Sequence, residues 1–551
     1  MNSHHKYINW VFGIFLSICL VWGYEAELCG EVLITKWWTH LCVVILAVVL
    51  SLLIRQLWDL LLINRKRIPV RKKLKPWIRH DFENDNKLFG KAALTIWIAH
   101  FIVFLGVFPG FFVYDAQDEL METVTRSFNN RHPLLHVLSM GGVIQTVHKI
   151  TGSYNAGIAA FILLGMTLSS LLYGYIIYRL KKKSTDVRTL LILTLYYAFF
   201  PVIVMYSLCS VKDGVFALSL TLCVMYILRM SDEPDMFFAS PKLSMNLVAS
   251  MVIMMLLRNN GVYALICFML LSVAMFLKKQ IIRRYMLKYF LCCFFAIVAY
   301  LLINKTLLFA THAANIGHSE ILSVPIQQMA RVYDYDKESL SDDDIDKLSK
   351  YIPLEALSRY NPKCSDMVKI DFNDKAYTED KLGFYDIYFK LGFEHPIAYL
   401  NAAVMTSYGM WCPGATIDGY TGNTVFTYTY GNSSYFGYET EEPGNRNSLI
   451  PVIDKLYRWF SLGESFQRIP VVSLIFSPGF VLWAALLIMG FMAYSGHSLD
   501  AFAYALPVLV VFTCFLGPVS LVRYALPLWI VLPLMIIRMR KISVDYEKDY
   551  L

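Results

Sequence analysis

Three carboxylates, Asp115, Asp118 and Glu119, follow directly on an apolar run that ends near Phe108, in the stretch FPGFFVYDAQDELMETVTRSFNNRHP. Acids set against the end of a hydrophobic run are partly desolvated, so a partner, a proton or a substrate must hold them there. With Glu122 they fall at i, i+3, i+4 and i+7, which puts all four on one face of a helix. Like charges this close raise at least one pKa, and a carboxylate raised in that way suits a general base. An acidic surface helix turned to water has the same spacing, and on spacing alone the two readings stand level.

Cations at the ends of other apolar runs shift that balance. Lys212 and Asp213 begin one run, Arg258 ends another in MMLLRNNG, and Arg523 opens the last. Arg258 and Arg523 are read as binding an anionic group; Lys212 is open between pairing with Asp213, anchoring a headgroup and a catalytic role. His132, in RHP, either assists acceptor binding or is structural at a helix start. Gln328 and Arg331, in VPIQQMAR with Gln327, either reach back to the acids or form an exposed helix start. A base facing several cations suits glycosyl transfer from a lipid phosphate-linked sugar to a hydroxyl. The leaving phosphate is a weak base that needs cationic stabilisation and no general acid, whereas the incoming alcohol needs a carboxylate to take its proton.

The elements that position these residues are membrane spans. With 57% hydrophobic and only 17% charged residues among 551, the chain reads as an all-α polytopic membrane protein. Apolar runs recur roughly at 8–24, 41–63, 92–108, 156–178, 189–206 and 214–228, then at 244–257, 261–277, 289–308, 471–493, 501–516 and 520–537, about twelve in all. The first follows a weakly basic start but offers no small-residue cleavage site, so it is read as a retained helix. The net charge of +8 sits in short clusters between the runs, the pattern of cytoplasmic loops and not of a nucleic-acid surface. Alternating the spans from a cytoplasmic N-terminus places every basic cluster, and the C-terminus, inside. Residues 109–155 and 309–469 then lie outside, and the chain divides into a membrane domain at 1–308, an extracytoplasmic segment at 309–469 between spans nine and ten, and closing helices with a cytoplasmic tail at 470–551.

The outer segment is expected to be mixed. Ser341 before three aspartates, with Ile345, Leu348 and Ile352 at helical spacing, predicts a capped surface helix, whereas Gly414 to Gly437 reads as loops or short strands. Among the 11 cysteines there is no CxxC spacing; Cys364 and Cys412 are close enough in kind to pair outside the cell, but free thiols are the favoured reading. Clustered carboxylates could hold a hard divalent cation, but a lone acidic helix supplies too few oxygen ligands to require one, so metal independence and no cofactor are expected.

The motifs PGFFVYDAQDE, RHPLL, VKDGVFA, RNNG, VPIQQMAR, HPIAYLNA and RYALP follow in that order from about Phe108 to Pro527. In this series the chain resembles a bacterial multi-pass group of the GT-C superfamily of integral-membrane glycosyltransferases. The resemblance implies a polyprenyl-phosphate-linked sugar as donor, a cell-envelope glycan or glycolipid as acceptor, and a site on the outer face of the bacterial cytoplasmic membrane among its lipids. It implies a carboxylate base in the first outer loop, Asp115 first, with Asp118 or Glu119 orienting the acceptor and Lys212, Arg258 and Arg523 neutralising the phosphate, with inversion at the anomeric carbon. Two spans ahead of the acidic loop, and an outer segment inserted between spans nine and ten, depart from the simplest pattern of that superfamily. The rival readings are a transporter or flippase for a lipid-linked glycan and a non-catalytic docking protein. Charges gathered at one face, with no matching halves, weigh against the transporter.

Overall fold

Long apolar runs without proline have one way to satisfy their backbone in lipid, which is the helix. The computed structural model describes residues 7–63, 85–112, 114–183, 185–278, 283–419, 448–461 and 465–550, and among these the regular elements are all helical, joined only by isolated bridges. Eight described helices are long and apolar enough to cross a bilayer by length and composition, so the chain is an all-α membrane protein. The expected run at 189–206 is instead two helices, Val187–Phe199 and Pro201–Ser207, bent by 56°. Pro201 brings no N–H and holds Phe200 in extended backbone, which ends the first helix there. The runs expected near 244–257, 471–493 and 501–516 correspond to the shorter apolar helices Pro241–Leu257, Pro478–Tyr494 and Ala505–Leu516. The second of these starts late because Ser477 caps it, accepting a hydrogen bond from Phe480 N at 3.4 Å.

The segment at 309–469 departs from the mixed architecture expected of it. Its described part is helical, with Ser323–Tyr335, Asp342–Tyr351, Lys381–Glu394 and Pro396–Trp411 closing over a core of Ile326, Met329, Leu348, Phe384 and Leu391. Most of the Gly- and Tyr-rich stretch that suggested strands lies outside the described residues. Ser341 caps Asp342–Tyr351 as its position predicts, accepting from Asp344 N at 3.2 Å. Cys364 and Cys412 are both buried and are not joined by a disulfide.

The two N-terminal helices, Ile8–Cys29 and Trp37–Ile63, form a hairpin. A β-carbon at Gly13 would meet Ser51 Oγ and lie 2.7 Å from Ser51 N, so glycine is what lets the two backbones approach. The hairpin packs on Pro478–Tyr494 through Trp58, whose ring lies 5.2 Å from that of Tyr494. It clasps the segment at 309–469: Val32 N donates to Asn401 Oδ1 at 2.7 Å, and Tyr408 OH donates to Glu27 Oε2 at 2.8 Å.

Two features align the parts that meet at the acids. Phe111 N donates to Leu208 O at 2.9 Å and Ser210 N to Phe111 O at 3.0 Å, so the chain entering the acidic helix runs beside the chain entering Lys212–Asp232. Tyr196 OH and Tyr197 OH each donate to a carbonyl of the last helix, Trp529 O and Ile530 O, both at 2.9 Å. These bonds fix the start of that helix, and with it Arg523, against the bent pair.

Candidate functional site

The acidic stretch is a helix, Tyr114–Thr125, as its spacing predicts. Asp115 in its first turn accepts a hydrogen bond from Arg523 Nη1 at 2.8 Å and lies 3.6 Å from Lys212 Nζ. One turn on, Glu119 is fully buried, with Oε2 at 2.5 Å from His136 Nδ1 and Oε1 at 3.4 Å from Lys212 Nζ and 3.5 Å from His132 Nδ1. Lys212 Nζ also lies 3.2 Å from His132 Nδ1. Asp213, the next residue along, faces away from this group: it is bound by Arg258 and lies 3.8 Å from Arg523 Nε. Adjacent helical residues point about 100° apart, so Lys212 and Asp213 serve different partners and do not pair with each other. The Arg258 guanidinium is sandwiched by rings, 4.8 Å from Tyr524 and 5.6 Å from Phe216.

The result is a chain of alternating charge, three carboxylates against three cations, buried where four parts of the sequence meet. Charges so desolvated persist only when paired and hydrogen-bonded. Three polar atoms in the cluster are nevertheless buried with no hydrogen-bond partner among the described residues: Asp213 Oδ2, His132 Nε2 and His136 Nε2. No group of three or more His, Cys, Asp or Glu among the described residues is arranged to hold a metal ion.

A sequence-family profile matches residues 87–549. The chain belongs to DUF6020, a family of unknown function. No curated protein and no solved structure matches it. All the charged residues of the cluster lie inside the DUF6020 match, whereas the N-terminal hairpin lies ahead of it.

Electrostatics separate the four acids of the DUF6020 helix. Burial pushes the Asp115 carboxyl up, but Arg523, Lys212 and His132 together outweigh it and hold the group well below the usual carboxylate range. Glu119 is likewise pushed up by burial and drawn down further by His136 and Lys212, to about 2. Asp118 is half-buried, has no ion pair among the described residues, and is raised by burial, opposed by Arg131 and reinforced by Asp115 and Glu119. Glu122 is pushed up to about 7 by burial, against hydrogen bonds donated by Asn129 N at 3.3 Å and Asn129 Nδ2 at 2.9 Å. Burial, reinforced by like charge, thus raises two of the four, while Asp115, the first choice for the base, is held low by its cations.

Of the other residues singled out in the sequence, His132, Lys212, Arg258 and Arg523 are brought together with Asp115 and Glu119. Gln328 and Arg331 are not. Gln328 Nε2 donates to Tyr399 O at 3.2 Å and its Oε1 accepts from Tyr388 OH at 2.8 Å, both within the segment at 309–469. Arg331, at 1% exposure, is no surface helix start: it lies 4.0 Å from the Tyr335 ring and 3.4 Å from Glu31 of the hairpin. His136 and Asp213 were missed as members of the site. The signal for the first was its four-residue spacing from His132 across a proline that starts the helix Leu134–Thr151; for Asp213 it was a carboxylate in the first turn of an apolar helix.

His132 gives the cluster a pH signature. Burial, and then the Lys212 ammonium beside it, lower its pKa from 6.5 to about 4. The unfolded chain therefore takes up a proton that the folded protein does not between those values, so stability falls as pH drops through that window and is flat above it. Glu119 contributes stability above about 4.5 that is lost only as pH falls toward about 2. Glu122, raised to about 7, slopes the other way between about 4.5 and 7, so the His132 share is read as a difference: from pH 6.5 to 4 the wild-type protein should lose roughly 3 kcal/mol more stability than His132→Gln, seen in their melting midpoints in detergent. An equal loss in the variant would remove His132 as its origin.

Proposed function

We propose that the buried cluster is the active site of a membrane glycosyltransferase that moves a sugar from a polyprenyl phosphate to a hydroxyl of an envelope glycan or glycolipid. The observation that carries this reading is the convergence of Lys212, Arg258 and Arg523 on Asp115, Glu119 and Asp213 beside the membrane-spanning helices. Three such cations match a donor phosphate, and His132 Nε2 and His136 Nε2, buried without a hydrogen-bond partner among the described residues, offer a ligand further hydrogen bonds.

In the resting protein Asp115 is neutralised by Arg523 and Lys212. A donor phosphate entering the cluster takes those cations in its place and frees the carboxylate. The acceptor oxygen then attacks the anomeric carbon as its proton passes to Asp115; the bond from that carbon to the phosphate oxygen breaks, and the phosphate leaves with the electron pair onto the cations. One displacement inverts the anomeric centre. Asp118, half-buried and not tied up in an ion pair, is placed to orient the acceptor.

The test is transfer of radiolabelled sugar from polyprenyl-phosphate donors to envelope acceptors in membranes containing the protein. Label is expected in acceptor, and none across a broad donor panel would overturn the reading.

A further inference from the structure

The helix Lys212–Asp232 carries the acidic cluster at its first residues, and its 21 residues reach about 30 Å, the thickness of a bilayer core. At its other end lies a second charged site that glycosyl transfer does not use. The ends of Tyr154–Lys182 and Lys212–Asp232 meet the last helix, Leu526–Tyr550, around a cleft of about 80 Å³. Five cations line it: Arg179, Lys183, Arg229, Arg538 and Lys541. Asp232 is the carboxylate in its wall, held by Lys183 and, at 2.9 Å, by Arg538. Arg538 also binds Asp500 at 2.5 Å. These two acids satisfy Lys183 and Arg538, and Arg179, Arg229 and Lys541 have no ion pair among the described residues. Arg229 Nε is moreover buried without a hydrogen-bond partner there.

Lysines and arginines at span ends commonly reach out to headgroups singly, and that alone makes no site. Here the cations converge on one cleft whose other lining, including Leu180, Leu228 and Leu534, is apolar and belongs to the same helix ends. An anionic head beside an apolar wall, at the depth of a leaflet surface, is the chemistry of a phospholipid and not of a free ion.

We propose that this cleft binds the phosphate of an anionic phospholipid in the leaflet opposite the acidic cluster. The uncompensated cations supply the charge, Arg229 supplies a pre-placed donor, and the apolar wall takes the first part of the acyl chains. The site is independent of the transfer reaction and stands or falls without it.

The test uses the full chain purified in a non-ionic detergent, with the thermal-unfolding midpoint followed as short-chain lipid is added. Dioctanoyl phosphatidylglycerol is expected to raise the midpoint saturably, and dioctanoyl phosphatidylcholine and inorganic phosphate to leave it in place. Arg229→Gln should raise the half-saturating concentration about fivefold, as expected for one cation lost near a headgroup. Lys541→Gln, at an exposed position, should act in the same direction. Arg523→Gln, at the far end of the bundle, should leave the half-saturating concentration unchanged. No shift with phosphatidylglycerol, or an unchanged half-saturation in both cleft variants, would overturn the proposal. A shift with inorganic phosphate as large as with the lipid would overturn the lipid assignment in favour of a soluble phosphate. A loss of lipid response in Arg523→Gln would place the lipid at the acidic cluster and overturn the assignment to the cleft.

Discussion

Asp115→Asn should lower kcat for sugar transfer by about 10² to 10⁴-fold, the range of a lost general base, with no rise in the donor KM. The second half of that expectation comes from the geometry. Asp115 occupies Arg523 at 2.8 Å and Lys212 at 3.6 Å, so in the resting state it competes with the donor phosphate for both. Removing its charge removes the competitor, and donor affinity should hold or tighten while the chemical step fails. A carboxylate that merely braced the fold would behave otherwise, since its loss would loosen Arg523 and raise KM along with the fall in kcat. Initial rates against donor concentration, in membranes matched for expression, distinguish the two. Asp118→Asn should act chiefly on the acceptor KM.

The second large effect is on stability. Asp213→Asn or Arg258→Gln alone leaves the other partner charged and buried, which costs about 3–5 kcal/mol. Arg258 lies between the Tyr524 and Phe216 rings, where water cannot replace the lost carboxylate. The double variant removes both charges and should recover most of that loss, because a buried ion pair contributes little net stability over a neutral pair. Transfer should stay low in the double variant, since one phosphate-facing cation is gone. Thermal melts of the two single variants and the double variant, read beside their transfer rates, separate the structural share of this pair from its chemical share; full activity in the stable double variant would remove Arg258 from the site.

How far the sequence revealed this arrangement depended on the range of each interaction. The acidic helix was legible because Asp115, Asp118, Glu119 and Glu122 sit at helical spacing within eight residues, and its boundaries follow that spacing. The cations were legible as exceptions at the wrong ends of apolar runs. Which acid each would meet was not, because Asp115 and Arg523 are separated by 408 residues and only the packing of the bent pair on the last helix brings them together. Burial was illegible for the same reason, so Asp115 could be read as a raised base when its partners hold it low. Gln328 and Arg331 looked like a polar helix start, yet the core they serve is assembled from Tyr360, Tyr388 and Tyr399, which follow them in the chain. The break at Pro201 went unread, with 189–206 taken as one run: proline sets a local prohibition, but its consequence, two short helices in place of one, depends on what the freed ends pack against.

The clasp between the N-terminal hairpin and the segment at 309–469 also has a meaning in time. Val32 waits for Asn401, 369 residues later. At ribosomal rates of about 5–20 residues per second, the hairpin spends roughly 20–75 s in the membrane before its partner exists. Through that interval it has to persist on its own contacts, and the close passage of Gly13 past Ser51 is what makes a two-helix unit able to do so. The hairpin is thus built well before the segment at 309–469, which closes onto a surface that was already waiting for it.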